Sequence, residues 1–302
     1  MNSARLLVLD VKNSGILSFD THGNDLKITI DKVKGVPDGI AVDSTNRHIY
    51  WTNMGEYHES EHFPKNDGSI ERIDFDGSNH ITIIPKGATF TPKQMQIDVA
   101  NGLIYWSDRE GMRVMRAKLD GSDITTLIQT GEGNEDRKDE TRHCVGVAID
   151  IRNGYLYWTQ KGPADGGKGR IFRANLDLPP GADPADRNDV ELLFDQLPEP
   201  IDLEIDHVNG YLYWTDRGNL PFGNTLNRVF IDGDRLGEKE MLNFGLKEGI
   251  GLTIDAENNA VYFTDLGGNI YSCNLDGFNL RKLYTSDRMF TGIAYVPGEH
   301  NN

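Results

Sequence analysis

Short runs in which hydrophobic and polar residues alternate recur along the whole chain. Five of these runs follow one order of residue types: Tyr50-Trp51-Thr52-Asn53, Tyr105-Trp106-Ser107-Asp108, Tyr157-Trp158-Thr159-Gln160, Tyr213-Trp214-Thr215-Asp216 and Tyr262-Phe263-Thr264-Asp265. The copies start roughly 50 residues apart, a spacing typical of propellers and solenoids. Alternating aromatic and β-branched residues favour β-strands, because a helix would repeat its apolar residues every three or four positions.

Each copy lies in a longer unit with a constant order of strands and turns. An Asp stands seven positions before each motif Tyr: Asp43, Asp98, Asp150, Asp206 and Asp255. A short apolar run precedes this Asp, and in three copies an Asn-Gly pair follows it, which predicts a tight hairpin because both residues tolerate positive φ. A third and a fourth run complete the unit. Four antiparallel strands per unit predict the blade of a propeller.

The five motif copies resemble the YWTD repeats, the class B repeats of the low-density lipoprotein receptor. The resemblance implies an all-β fold, a six-bladed β-propeller of four-stranded antiparallel blades, over a single domain at residues 1–302. The chain ends are expected to form the sixth blade, with Thr291–Val296 as its first strand and Leu6–Asp10, Gly15–Asp20 and Leu26–Ile30 as the others. Their pairing would close the ring and remove its open strand edges.

Charge and composition narrow the range of partners. The formal net charge of −16 repels phosphate backbones and anionic lipid, so neither nucleic acid nor a membrane surface is an expected partner. The two cysteines fall in different predicted blades, and we expect both thiols to be free. Receptor propellers of the resembled family are extracellular and flanked by disulfide-rich modules. This sequence shows neither such modules nor a leader, which favours a cytoplasmic location.

Two blades break a rule that the other four obey. Aligned on the Asp before the motif, the residues four and two positions earlier are small in four blades, as at Gly39, but are Gln94 and Gln96 in one blade and Asp202 and Glu204 in another. Strand alternation predicts that each pair points toward the axis. A buried carboxylate persists only if it is paired, protonated or used in chemistry. The alternative is a structural role, with hydrogen bonds to channel water and neighbouring loops.

The loop from Met54 to Asp67 contains a formal match to the His-Glu-x-x-His pattern of zinc proteases, from His58 to His62. That pattern binds zinc on a helix, which places both histidines on one face. Here it lies between two predicted strands and beside Gly55 and Pro64, so we expect no zinc-protease helix. The loop is predicted to cover part of the channel mouth, where His58 or His62 could reach a ligand.

Further polar residues are predicted on the same face, the one formed by loops that lead into first strands and follow second strands. They are His143, Arg109, Lys161, Arg217 and Arg288. Cations clustered on a strongly acidic protein suggest a small anionic or carbonyl-bearing ligand. A separate surface ion pair for each cation is the alternative. The repeated Asp residues of the blades are interpreted as structural, because a functional site would occur once.

The sequence leaves three functions open. The first is an enzyme of hydrolase, lyase or isomerase type, with Glu204, Asp202 and His143 as acid and base; lactonases on other six-bladed propellers are a fold analogy. The second is a protein-interaction module, as the receptor resemblance implies. The third is a site for a divalent metal, calcium or zinc, with Asp38, Asp202 and Glu204 as oxygen ligands.

Overall fold

The computed structural model describes residues 3–59 and 62–298. Within them, 25 strands form six sheets of antiparallel strands, which confirms the predicted six-bladed β-propeller. Each sheet is one blade and runs outward from a first strand at the axis. A helix, α1 (Gly133–Arg137), and a 3-10 helix (Glu140–Arg142) connect the third blade to the fourth. No helix in the described ranges has the length and apolar content to span a bilayer.

Three blades come from the chain ends and the first part of the sequence. Blade 1 contains β25 (Phe290–Val296), β1 (Arg5–Asp10), β2 (Gly15–Asp20) and β3 (Lys27–Ile30). Blade 2 contains β4 (Pro37–Asp43), β5 (His48–Asn53), β6 (Gly68–Asp74) and β7 (Ile81–Thr89). Blade 3 contains β8 (Pro92–Asp98), β9 (Leu103–Asp108), β10 (Arg113–Lys118) and β11 (Thr125–Gln129).

The other three blades follow in chain order. Blade 4 contains β12 (Cys144–Asp150), β13 (Tyr155–Gln160), β14 (Gly169–Asn175) and β15 (Glu191–Leu197). Blade 5 contains β16 (Glu199–Asp206), β17 (Tyr211–Arg217), β18 (Thr225–Asp232) and β20 (Glu240–Phe244), and the short β19 (Arg235–Leu236) also pairs with β18. Blade 6 contains β21 (Gly249–Asp255), β22 (Ala260–Asp265), β23 (Asn269–Cys273) and β24 (Arg281–Thr285).

Both ends of the chain close the ring in blade 1, as predicted. Strand β25 pairs antiparallel with β1, with Leu7 opposite Ala294 and Arg5 opposite Val296. The first strands β25, β4, β8, β12, β16 and β21 then contact one another in a circle around the axis. We call the end of this ring that carries the loops before first strands the loop face. The opposite end, which carries the hairpins between first and second strands, is the hairpin face.

The Tyr-Trp order of the motif follows from how blades stack. Neighbouring residues of a strand point to opposite sides of the sheet, so one aromatic ring faces each adjoining blade. In blade 5, Trp214 packs into the hydrophobic cluster shared with blade 4, and Tyr213 packs into the cluster shared with blade 6. A fully buried aromatic side chain of this size removes 150–250 Å² from water, worth about 4–6 kcal/mol before entropic costs.

The motif threonine ties each blade to the next. The Thr215 hydroxyl accepts a hydrogen bond from the Asp202 N–H at 3.2 Å and donates to the Ile250 carbonyl of blade 6 at 2.5 Å. The same pair of bonds occurs in three other blades, at Thr52, Thr159 and Thr264. These bonds satisfy buried backbone groups between first strands, which would otherwise lack a partner.

The Asp before each motif is structural, as the sequence suggested. Asp206 accepts hydrogen bonds from the Asn209 backbone N–H at 3.0 Å and from its side-chain amide at 2.7 Å. The same bonds join four further pairs, Asp43–Asn46, Asp98–Asn101, Asp150–Asn153 and Asp255–Asn258. Each pair closes the hairpin between a first and a second strand through an Asx turn.

Candidate functional site

A cavity of about 240 Å³ lies on the axis of the ring, and we call it the axial cavity. First strands of five blades form its wall. All four residues that break the small-residue rule line it, namely Gln94, Gln96, Asp202 and Glu204. Thr253 of blade 6 adds a hydroxyl. The sequence-based prediction that both exceptional pairs face one cavity near the axis is confirmed.

A hydrogen bond crosses the channel between the two exceptional blades. The Gln96 side-chain amide in β8 donates to the Glu204 carboxylate in β16. Blade 4 stands between their blades and carries only the small Ala148 at the matching position, so the two long side chains meet over it. Glu204 is partly exposed and lines the cavity. Burial raises the pKa of Glu204 to about 7, and the bond from Gln96 offsets part of that effect.

Asp202 is held in a different way, through both of its oxygens. One accepts from the Leu203 N–H at 2.9 Å, and the other accepts from the Leu252 N–H of blade 6 at 2.9 Å. Burial raises the pKa of Asp202, and the nearby Glu204 charge raises it further, whereas the two N–H donors lower it. Asp202 therefore joins two first strands and positions the wall that carries Glu204.

In four of the other blades the position that aligns with Asp202 is a glycine, which allows neighbouring first strands to pack closely. A methyl group on Gly39 would lie 2.5 Å from the Lys93 carbonyl, and one on Gly146 would lie 2.2 Å from the Ile201 carbonyl. At these two glycines the neighbouring first strands approach too closely for a side chain. At Asp202 the carboxylate takes up this space and bonds to the next strand.

Apolar side chains fill the channel on its loop-face side. Val145, Ile201 and Ile250 come from blades 4, 5 and 6 and pack together as a cluster, which we call the plug. On the other side of the same layer, buried Lys93 pairs with buried Asp38 at 2.8 Å. The Gln94 amide also donates to Asp38, at 3.1 Å. This layer separates the axial cavity from the loop face.

The axial cavity opens in the other direction. The last lining residues of the first strands, Val42, Ile97, Ile254 and Tyr295, are partly exposed, whereas the plug is buried. Access is therefore from the hairpin face. The carboxylate pair is therefore on the opposite side of the plug from the loop face.

The comparisons with known proteins place the chain in a family. Over 97% of its length it is 44% identical to the low-density lipoprotein receptor-related protein 1 of Pyricularia oryzae, and the match covers 98% of that protein. The chain belongs to the family of this protein. It is also 40% identical over 96% of its length to the 3-hydroxyacyl-CoA dehydrogenase-like protein LAM1 of Cochliobolus heterostrophus, but spans only 64% of LAM1. No protein-family model matches the sequence.

Solved structures share the fold at low sequence identity. A chain of a nidogen/laminin complex superposes with a TM-score of 0.73 at 20% identity, over 99% of this chain and all of the other. A gluconolactonase from Xanthomonas campestris superposes with a TM-score of 0.62 at 15% identity, over 94% of this chain and 83% of the enzyme. These likenesses show the propeller fold of this receptor-related family member and nothing more.

The cations expected at the site lie in ion pairs away from the axial cavity. Arg109 pairs with Glu110, and Arg288 pairs with Asp10. Lys161 and Arg217 share Glu199, and they also pair with Glu140 and Glu248, respectively. The expected convergence of these cations with Asp202 and Glu204 was wrong. Among the described residues, the cavity wall contains no cationic side chain, so it does not suit an anionic ligand.

The three histidines that the sequence placed near the site, His58, His62 and His143, do not line the axial cavity. His143 follows the 3-10 helix, and its Nε2 bonds to the Arg137 carbonyl at 2.9 Å. Burial lowers the pKa of His143. It does not reach Glu204, so its assignment as a partner acid or base was wrong.

The loop that carries the formal zinc-protease pattern turns back on itself. His58 and His62 form an antiparallel bridge through two N–H to carbonyl bonds of 2.7 Å each. This extended pairing is incompatible with a helix across the pattern, whose Ser60 and Glu61 lie outside the described residues. Phe63 packs under the Arg109 guanidinium, 5.4 Å from the ring centre. Neither histidine lines the axial cavity.

The proposed metal ligands do not come together. Asp38 lies in the layer of the plug and is paired with Lys93, while Asp202 uses both oxygens for backbone N–H groups. Across residues 3–59 and 62–298, no three His, Cys, Asp or Glu side chains form a cluster that could hold a metal ion. The residues present therefore do not fit the calcium or zinc site.

Both cysteines are buried and unpaired. Burial raises the pKa of the Cys144 thiol to about 12 and that of the Cys273 thiol to about 12. The thiolate, which is the nucleophilic form, is thus disfavoured at both positions. Glu204 is then the group in the axial cavity best suited to proton transfer near neutral pH.

Proposed function

We propose that this chain binds a small molecule in the axial cavity and that Glu204 transfers a proton to or from it. One observation carries the proposal: a partly exposed carboxylate with a pKa of about 7 lines a polar cavity on the axis. A general base or acid is most effective when its pKa lies near the working pH. Gln94, Gln96 and Thr253 supply hydrogen-bond donors and acceptors that would orient the ligand.

The ligand class is a neutral, carbonyl-bearing molecule. The cavity wall carries carboxylates, amides and a hydroxyl, which can bind hydroxyl groups and polarise a carbonyl oxygen. Deprotonated Glu204 would accept a proton from water while the water oxygen attacks the carbonyl carbon, as in ester or lactone hydrolysis. Protonated Glu204 would return the proton to the leaving oxygen. Asp202 is a positioning residue in this scheme, because its oxygens are occupied by backbone donors.

The similar fold of the gluconolactonase makes gluconolactone the first substrate to assay. Hydrolysis by the full chain, corrected for the reaction without protein, should rise with pH through a midpoint near 7. Glu204→Gln keeps the shape of the side chain and should reduce the rate to background. Glu248→Gln, a matched change on the loop face, should retain the wild-type rate. A wild-type rate equal to background, or full activity in Glu204→Gln, would contradict the hydrolase form of the proposal.

Protein interaction is the second candidate function. Leu220 and Phe222 are 62% and 64% exposed, and with Pro198 they border an apolar groove of about 410 Å³ on the loop face. The named relatives include a receptor-related protein, and a solved neighbour comes from a protein complex. Tyr57 is also exposed, but Phe63 and Phe290 are buried and cannot contribute to such a surface. Inactivity of the wild type toward gluconolactone would favour this candidate.

A further inference from the structure

Four blades place an arginine on the third strand opposite the motif tyrosine. The pairs in blades 2 to 5 are Arg72–Tyr50, Arg116–Tyr105, Arg173–Tyr157 and Arg228–Tyr213. Blade 6 breaks this pattern, because Ser272 stands opposite Tyr262. Alignment of the third strands shows this exception in the sequence, since the position is arginine in blades 2 to 5 and serine in blade 6.

The arginines fill the grooves between neighbouring blades. The Arg228 guanidinium lies 4.3 Å from the centre of the Tyr211 ring and donates to the Leu275 carbonyl of blade 6 at 2.8 Å. It also pairs with Glu240 on the fourth strand at 2.9 Å. Arg173 makes the equivalent contacts one blade earlier, with the Gly233 carbonyl of blade 5 and with Glu191.

Serine is too short to fill the corresponding groove between blades 6 and 1. A cavity of about 340 Å³ is found there, lined by Ser272, Tyr262, Asn279 and Arg281 of blade 6 and by Thr21 and His22 of blade 1. We call it the groove cavity. It also shares Tyr295 with the axial cavity.

The hydroxyl of Ser272 has no hydrogen-bond partner within the described part of the chain, although the residue is only 3% exposed. A buried polar group left without a partner costs about 1–3 kcal/mol. Blade 1 also has a serine at this position, Ser18, but Arg5 donates to its hydroxyl at 2.8 Å. The Ser272 hydroxyl, in the wall of the groove cavity, is thus a hydrogen-bond donor without an acceptor among the described residues.

The charge next to this cavity is opposite to that in blades 4 and 5, whereas blade 1 also has a cation, Lys27, opposite its serine. In blades 4 and 5 the fourth-strand residue opposite the arginine is Glu191 or Glu240. In blade 6 the residue opposite Ser272 is Arg281, which forms no ion pair with a described residue. Burial and the Asp255 charge raise the pKa of Tyr262, and the Arg281 charge lowers it by a smaller amount. The wall also contains the Asp255 carboxylate, which accepts hydrogen bonds from the Asn258 backbone and side chain. An anion in the groove cavity would give Arg281 an ion-pair partner.

We propose that the groove cavity is a second ligand site, which binds a small organic molecule through a carboxylate or phosphate group. Arg281 would bind two oxygens of the anion, because its planar guanidinium matches their geometry. Ser272 would donate a further hydrogen bond and so gain the partner that it lacks. The site is separate from the proton-transfer group in the axial cavity and does not depend on the function proposed for Glu204.

Calorimetric titration of the full chain with benzoate and with inorganic phosphate tests the proposal. At least one probe should bind at millimolar or lower concentration, and the one that binds distinguishes a carboxylate from a phosphate ligand. Ser272→Ala and Arg281→Glu should each weaken binding by about tenfold or more. Ser272→Ala should not lower the melting temperature, because it removes an unpartnered buried hydroxyl. A merely structural serine would show no such loss of affinity.

A double variant introduces the arginine–glutamate pair of blade 5 into blade 6. Ser272→Arg with Arg281→Glu recreates the Arg228–Glu240 arrangement, so the chain should fold and the filled cavity should bind neither probe. Arg235→Glu makes the same charge change on an exposed hairpin of blade 5, and it should keep wild-type affinity, as should Glu204→Gln. Absence of binding by both probes in the wild type would overturn the proposal. Equal binding by the filled double variant would overturn it as well.

Discussion

Asp202 and Glu204 lie two positions apart on one strand, yet their surroundings assign them different roles. Both oxygens of Asp202 accept backbone N–H groups, one of them from the next blade. Glu204 has one side-chain donor, Gln96, and faces the axial cavity. The broken small-residue rule predicted the location of both, and burial raises the pKa of each. Their roles could not be predicted, because the Leu252 N–H comes from another repeat.

Exchange of each carboxylate for its amide should therefore have opposite effects on stability. Glu204 has a pKa of about 7 in the fold against an ordinary 4.5, so the folded protein holds a proton between these values that the unfolded chain has released. The free energy of unfolding then falls as pH rises from 4.5 to about 7 and stays lower above that range. Glu204→Gln should raise it by about 2 kcal/mol at pH 8 and leave it unchanged at pH 4.

Burial raises the pKa of Asp202 as well, so Asp202→Asn also removes a buried charge at pH 8. Its amide nitrogen would however face a backbone N–H, and we expect this loss to dominate and to lower the free energy of unfolding by about 1–3 kcal/mol. Denaturant titrations of both variants at the two pH values measure these differences. Destabilisation by Glu204→Gln at pH 8, or an unchanged Asp202→Asn, would show that the two roles are assigned incorrectly.

At the scale of the strand, a β-bulge explains why Ile201 packs in the plug, which the sequence pattern did not predict. In blade 5 the register between first and second strands shifts between Pro200 and Leu203, and blades 2, 3, 4 and 6 show the same shift. Strict alternation would turn Ile201 away from the side of Asp202. The bulge lets Ile201 join Val145 and Ile250 in the plug. The strands themselves were predictable from their alternation, but the closed end of the channel was not.

The motif threonine gives a prediction for how first strands hold together. Thr215→Val keeps the volume of the side chain but removes the hydroxyl between the Asp202 N–H and the Ile250 carbonyl. Two buried backbone groups lose their partner, so the free energy of unfolding should fall by about 2–3 kcal/mol. Thr126→Val, on a partly exposed outer strand, is the matched control and should have little effect. Thermal unfolding that shifts equally in both variants would argue against this account of the motif.

On the scale of the whole molecule, the ring separates two chemical environments. The loop face carries ion pairs such as Arg217–Glu248 and Lys161–Glu140, each already neutralised within its own loops. The sequence predicted the face on which these cations lie. It could not predict that carboxylates from other loops would form ion pairs with them. The hairpin face, where the sequence shows mainly repeated turns, contains the openings of the axial cavity and the groove cavity.

The pKa of Glu204 is itself a property of the closed ring, because five blades build the wall that removes the carboxylate from water. A carbon-13 NMR titration of the glutamate carboxyl groups, with Glu204 assigned by comparison with Glu204→Gln, measures it directly. We predict a midpoint near 7 for Glu204. A midpoint near the ordinary value of 4.5 would show that this carboxylate is fully solvated and would contradict its role as the proton-transfer group of the axial cavity.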